Sequence, residues 1–183
     1  MGKVFETIGA DLTAWIQKQK MFFVATAPLS GDGFVNCSPK GGDTFRILNG
    51  NEVAYQDFTG SGVETIAHLQ ENGRIVVMFC GFEGPPKIVR LRGQGTVITE
   101  DHSEYPSLIG EFPQKTGTRS IIHINVNRIA DSCGYSVPLY DFKAPREILD
   151  NWAADKGAEG VKNYQQENNL ASLDGLPGLK TKR

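Results

Sequence analysis

Asn49-Gly50-Asn51 constrains this chain more than any other short stretch, because it joins two alternating segments, "TFRIL" (44–48) and "EVAYQ" (52–56), across a very short turn. Asn-Gly accepts the positive φ angles that match the twist of two paired strands, so this segment predicts a β-hairpin. The same grammar recurs along the chain. "MFFVATA" (21–27) and "FVNCS" (34–38) flank the turn formers of "LSGDG", and "PKGGD" (39–43) reads as a further break. "RIVVMFC" (74–80) predicts a fully buried strand, followed by a "GFEGPP" loop. "KIVRLRG" (87–93) and "GTVIT" (95–99) alternate as half-exposed strands, and "SIIHINVNRI" (120–129) is the last clear strand. Its parity puts Ile122, Ile124, Val126 and Arg128 on one face. The 21 glycines supply the many tight turns this pattern needs. The expected fold class is mainly β, a small antiparallel barrel with flanking helices.

Four helices are expected around it. Phe5, Ile8, Leu12, Trp15 and Ile16 recur at helical spacing over 4–19. "GSGVETIAHLQENG" (60–73) carries a capping-box spacing at Ser61 and Glu64 and a glycine stop at Gly73. A short helix fits within 100–119, and "PREILDNWAADKG" (145–157) suits a helix with Pro145 in its first turn. From about residue 162 the chain is polar and broken by Gly and Pro, ending in "LKTKR". These readings divide the chain into an N-terminal helix (1–20) packed on the barrel, the barrel (21–138) and a C-terminal helical extension (139–183), one domain overall.

Charge narrows the partners. With 19 basic against 21 acidic residues and a net charge of -2, neither nucleic acid nor an anionic membrane is expected as a partner. No apolar run approaches the ~20 residues of a membrane span, and no charged lead precedes an apolar stretch, so the expected location is the cytoplasm. Cys37, Cys80 and Cys133 form no CxxC pair and read as buried thiols in a reducing compartment. His68, His102 and His123 are too scattered to suggest a metal site.

Two segments could hold an anion. In "SPKGGD" (38–43), Ser38 offers a hydroxyl, Lys40 a cation, and Gly41 and Gly42 close backbone approach; a plain surface turn is the alternative. In "YQDFTGSGVETI" (55–66), Ser61, Gly62 and the following amides open a helix, where unsatisfied N–H groups and the dipole favour negative charge. An ordinary capped helix is the alternative there. Tyr55, Gln56 and Asp57 add polar groups at the strand end that a heteroaromatic ring could use. Arg90 and Arg92 share the outer parity of their strand; Arg90 faces either solvent or a groove covered by a second subunit. No spacing nominates a catalytic acid, base or nucleophile.

Taken together, "SPKG", "YQDFTGSG.ET", "HL.ENGRI" and "CGY.VP", spread over 21–138, resemble the pyridoxamine 5′-phosphate oxidase-related flavoprotein family. The resemblance implies an antiparallel Greek-key split barrel that binds FMN in two symmetric clefts between the subunits of a homodimer. It carries FMN binding over to Ser38, Lys40, Tyr55, Gln56, Asp57, Ser61, Thr65 and Arg90, with Lys40 and the helix start on the phosphate. The strand-end residues would meet the isoalloxazine and ribityl groups. Relatives that oxidise pyridoxamine phosphate have an Arg-Lys pair where this chain has Glu64-Thr65, and their Trp- and Arg-containing end is not matched here. The function implied is therefore that of an FMN-dependent oxidoreductase acting on an unassigned small molecule. Two alternatives stand beside it: a non-catalytic flavin- or haem-binding protein of storage, sensing or stress response, and a deazaflavin-dependent reductase.

Overall fold

Two long antiparallel strands, β7 (Ile88–Ile98) and β8 (Thr118–Ser132), form the spine of the structure, a computed structural model that describes residues 2–180. Around them lie β1 (Val4–Phe5), α1 (Ala10–Lys18), β2 (Met21–Thr26), β3 (Asn36–Gly41), β4 (Phe45–Ile47), β5 (Glu52–Phe58), α2 (Glu64–Asn72), β6 (Arg74–Cys80), α3 (Tyr105–Ile109) and α4 (Ile148–Asn168). The strands pair antiparallel in the order β3-β2-β6-β7-β8-β5-β4, with β1 added to β8. The sheet therefore ends at β3 and β4, and the barrel is split between them. Inside it, Phe22, Val24, Val53, Tyr55, Val77, Phe79, Leu91 and Ile122 pack with α1 and α2. A smaller outer core joins Ala54, Ile98, Phe112 and Ile121 to residues of α3.

Local chemistry explains where the elements depart from the pattern. The strands expected at 87–93 and 95–99 are one, β7, and its pairing with β8 shifts between Arg92 and Gly93, where Asn127 of β8 is the extra, bulged residue. A Cβ on Gly93 would stand 2.1 Å from the Asn125 carbonyl oxygen, so only glycine permits that approach. At this bulge the burial phase of β8 slips by one residue. Val126 is buried, Arg128 is exposed and Ile129 takes the interior position, which removes Arg128 from the face shared by Ile122 and Ile124. β6 alternates between buried and half-buried positions instead of being buried throughout.

Of the break expected at "PKGGD", Pro39, Lys40 and Gly41 instead finish β3, where Pro39 is tolerated because β3 is an edge strand. At the N-terminus the helix begins at Ala10, not near residue 4, because Val4 and Phe5 pair with Ala130 and Ile129 of β8. Pro145 lies ahead of α4, whose cap is Glu147. α4 consists of two helical stretches joined at a kink, where Gly157 takes the non-helical φ 66° and ψ 171° at the expected helix end. The second stretch runs on to Asn168, past residue 162, where the sequence suggested a broken segment. Cys37 and Cys133 are exposed, so only Cys80 is the buried thiol expected of all three. The C-terminal segment lies against its own chain, with Gly178 N–H bonded to the Leu170 carbonyl and Leu179 N–H to that of Asn169. The last three residues of "LKTKR" lie outside the described residues. Among the described residues no helix is long and apolar enough to cross a membrane.

Candidate functional site

The inner face of edge strand β3 carries Asn36, Ser38 and Lys40 in alternate positions, opposite Thr26, Val24 and Phe22 of β2. Their polar ends meet the end of β5 and the start of α2. Lys40 Nζ donates to Asp57 Oδ1 at 3.0 Å, and Arg119 of β8 donates to Oδ2 through Nε at 2.9 Å, with Nη2 at 2.8 Å. Ser120 Oγ adds a longer contact to the same oxygen at 3.4 Å. Asp57 is fully buried and Arg119 nearly so, whereas the Lys40 side chain keeps 23% of its surface exposed. Burial alone would raise the Asp57 pKa, but the Arg119 and Lys40 charges and their hydrogen bonds outweigh it. The carboxyl is held below its ordinary value. Two cations around one carboxylate leave this cluster with one net positive charge.

The start of α2 adjoins it. Val63 occupies the cap position with φ -130° and ψ 12°, and no side chain caps the helix. The expected Ser61–Glu64 box does not form. Ser61 lies two residues ahead of the cap and is exposed, and Glu64 folds its carboxylate over Gly62, within 2.3 Å of where a Cβ would stand. The glycine stop does form: Gly73 takes φ 71° and returns its N–H to the Leu69 carbonyl. First-turn amides without a partner among the described residues, and the helix dipole, make this end attractive to an anion. Thr65, buried in the first turn, accepts a hydrogen bond from Asn36 Nδ2 at 3.0 Å, and Ser38 Oγ donates to Asn36 Oδ1 at 3.2 Å.

The structure thus gathers Ser38, Lys40, Asp57 and Thr65, with Ser61 on the adjoining loop. Tyr55 lies beneath them in the core, its ring 5.9 Å from Lys40 Nζ and edge-on to Phe22. Its hydroxyl is buried beside Thr65, and burial, then the Asp57 charge, pushes the phenol well above its ordinary pKa. Gln56 and Arg90 are engaged elsewhere. Gln56 faces the outer side of β5 and donates to the Pro113 carbonyl and to Thr118 Oγ1, at 3.0 and 2.7 Å. Arg90 sits in β7 between Met78 and Ala130 and donates to Ser132 Oγ at 3.0 Å.

Three residues of the cluster escaped the sequence reading: Asn36, Arg119 and Asn169. A signal for Arg119 existed. A carboxylate in the apolar run "VAYQDF" requires a buried cation, and Arg119 heads the apolar strand "SIIHI" that pairs with it. Asn36 could have been found from its parity with Ser38 and Lys40. Nothing local marks Asn169, which reaches Arg119 from the far end of the chain.

Comparison with known proteins agrees with this architecture. The family model described as pyridoxamine 5′-phosphate oxidase matches residues 8–133. A protein of Aspergillus flavus, named pyridoxamine 5′-phosphate oxidase family protein ustO, is 39% identical over an alignment covering 96% of this chain and 77% of that one. Among solved structures, HupZ from Group A Streptococcus superposes with a TM-score of 0.52 at 22% identity, covering 67% of this chain and 91% of that one. A Lactobacillus delbrueckii protein named for pyridoxamine 5′-phosphate oxidase also gives 0.52, at 13% identity, covering 69% and 98%. At these identities the structural likeness speaks to the fold alone, which is the split barrel.

Proposed function

Because the chain belongs to the pyridoxamine 5′-phosphate oxidase family, we propose that it is a flavoprotein that binds FMN and serves as an oxidoreductase for a small molecule in the cytoplasm. The observation that carries this reading is the Lys40–Asp57–Arg119 cluster beside the uncapped start of α2. The donor set suits a phosphate monoester: the ammonium of the partly exposed Lys40 side chain, the Ser38 hydroxyl and first-turn amides, with one net positive charge. On this reading Lys40, Ser38, Ser61 and the α2 amides hold the phosphate. Asp57 and Arg119 act from beneath, fixing Lys40 at the surface, and Tyr55 packs below them. The flavin, when bound, supplies hydride or single-electron chemistry, and the chain supplies position and electrostatics. The split edge between β3 and β4 leaves the cluster at the rim of the barrel, in keeping with a cleft completed by a second subunit of a homodimer.

The test is cofactor identification followed by one substitution. The purified protein should show flavin absorption bands and release FMN on denaturation; a Soret band in their place would overturn the reading. Lys40→Ala removes a charge-assisted contact worth about 1.5–3 kcal/mol. It should weaken FMN binding by about 10- to 100-fold while leaving riboflavin binding nearly unchanged. Equal losses for the two ligands would show that Lys40 does not serve the phosphate.

A further inference from the structure

The segment that closes the chain lies beyond the part matched by the family model, yet its hydrogen bonds end on the loop ahead of α2. Asn169, immediately after α4, is fully buried and divides its amide between two partners. Its Oδ1 accepts from Arg119 Nη1 at 2.9 Å, and its Nδ2 donates to the Gly60 carbonyl at 2.9 Å. Arg119 Nη1 donates in turn to the Gly62 carbonyl at 2.8 Å, and Gln165 donates to Thr59 Oγ1 at 2.7 Å. Across residues 59–62, two carbonyls and one hydroxyl are therefore turned toward Arg119 and the C-terminal segment.

Peptide planarity gives this arrangement a consequence. In a trans peptide the C=O of one residue and the N–H of the next point in opposite directions. Gly60 and Gly62 carbonyls held toward Asn169 and Arg119 aim the Ser61 and Val63 N–H groups away from them. Neither amide donates a hydrogen bond among the described residues. Beside them stand the first-turn amides of α2 and the folded-over Glu64 carboxylate. Backbone amides turned outward from a loop in this way are available to an anion.

We propose that Asn169 is a positioning residue for the phosphate cradle, fixing the peptides on either side of Ser61 so that their amides face the anion. The inference rests on the FMN reading above and extends the site to the C-terminal segment. Asn169 touches no ligand itself; it acts through the Gly60 carbonyl and through Arg119.

Two substitutions separate this role from ordinary support of the fold. Asn169→Ala removes both contacts. Asn169→Asp keeps an acceptor for Arg119 but places a carboxylate oxygen against the Gly60 carbonyl and adds a negative charge beside Arg119. The neutral Asn169→Ala therefore isolates the loss of the orienting contact from the change of charge. Dissociation constants for FMN and for riboflavin are measured on each full-length variant, with thermal unfolding as the check on folding. Both variants should bind FMN about 10-fold more weakly, with riboflavin affinity nearly unchanged, and Asn169→Asp should retain most of the wild-type thermal stability. A wild-type FMN-to-riboflavin ratio in Asn169→Ala, or equal losses for both ligands, would overturn the positioning role. A wild-type protein with no preference for FMN over riboflavin would instead refute the phosphate site itself, which keeps the two failures distinct.

Discussion

Asp57→Asn tests the electrostatic design most directly, because it removes the one anion between two cations without changing the side chain's size. Arg119, 4% exposed, would be left as a buried guanidinium with only neutral acceptors, the Gly62 carbonyl and Asn169 Oδ1. Breaking a buried ion pair by removing one partner costs about 3–5 kcal/mol. Those two remaining bonds, and the freedom of Lys40 to turn its 23%-exposed side chain into water, place the cost near the lower end, about 3 kcal/mol. For a chain of this size that is a fall in Tm of about 6–12 °C. Lys40→Met should cost far less, about 1 kcal/mol, since Asp57 keeps Arg119 and the lost pair is partly screened by solvent. Acid provides the same perturbation reversibly. The carboxyl is held below its ordinary value, so its contribution is fully present above about pH 4 and fades as pH falls through the lower folded-state pKa. Urea unfolding at neutral pH and at a series of acidic values measures both effects, and Asp57→Asn should lack this component of the acid loss. A cost below about 1 kcal/mol for Asp57→Asn, or an equal cost for Lys40→Met, would refute the view that Arg119 depends on this carboxylate.

Two further outcomes follow from the same structure. Cys37 and Cys133 are exposed, whereas Cys80 is buried and burial raises its thiol pKa, so a thiol reagent should label the first two rapidly and Cys80 only on unfolding. Three fast thiols in the folded protein would contradict the packing of β6. Gly73→Ala should cost about 1–2 kcal/mol, read from urea unfolding, because Gly73 sits at φ 71° where a Cβ is strained. The Gln94 Oε1 atom, 2.3 Å from that Cβ, can swing aside and adds little.

The sequence disclosed the parts of the fold that short-range chemistry decides. The Asn49-Gly50-Asn51 turn, the β2 run and the Gly73 stop depend on a handful of neighbouring residues, and each forms where it was expected, although the turn closes without a positive φ at Gly50 or either asparagine. Readings that a distant partner decides came out differently. Val4 and Phe5 follow a helical spacing, but the free edge of β8 at Ile129–Ala130 takes them as a strand. Ser61 and Glu64 have the spacing of a capping box, but Arg119 and Asn169 draw the preceding carbonyls aside and the helix begins two residues later. Arg128 has the parity of Ile124, yet the extra residue Asn127 in β8 reverses it. The candidate site divides in the same way. Ser38 and Lys40 share a face by strand parity alone, while the Arg119 and Asn169 that complete the cluster lie 62 and 50 positions away from their partners.

That division bears on how a buried cation pair can await an anion. Lys40 and Arg119 alone would place two positive charges near one another with little water around Arg119, and folding would have to carry their repulsion. Asp57 removes that difficulty by accepting from both, one carboxylate oxygen for each. It also sets what is left over. Arg119 spends its donors on Asp57, Gly62 and Asn169, so it serves the loop's shape, while Lys40 makes one bond to Asp57 and keeps part of its side chain exposed. On the proposed reading the two cations therefore have separate tasks. Substituting Lys40 should change phosphate affinity more than stability, and substituting Arg119 should change stability first. Arg119→Met, by leaving Asp57 with the partly exposed Lys40 alone, should lower Tm by at least as much as Asp57→Asn. A stable Arg119→Met protein that had merely lost FMN would mean that Arg119, not Lys40, meets the phosphate.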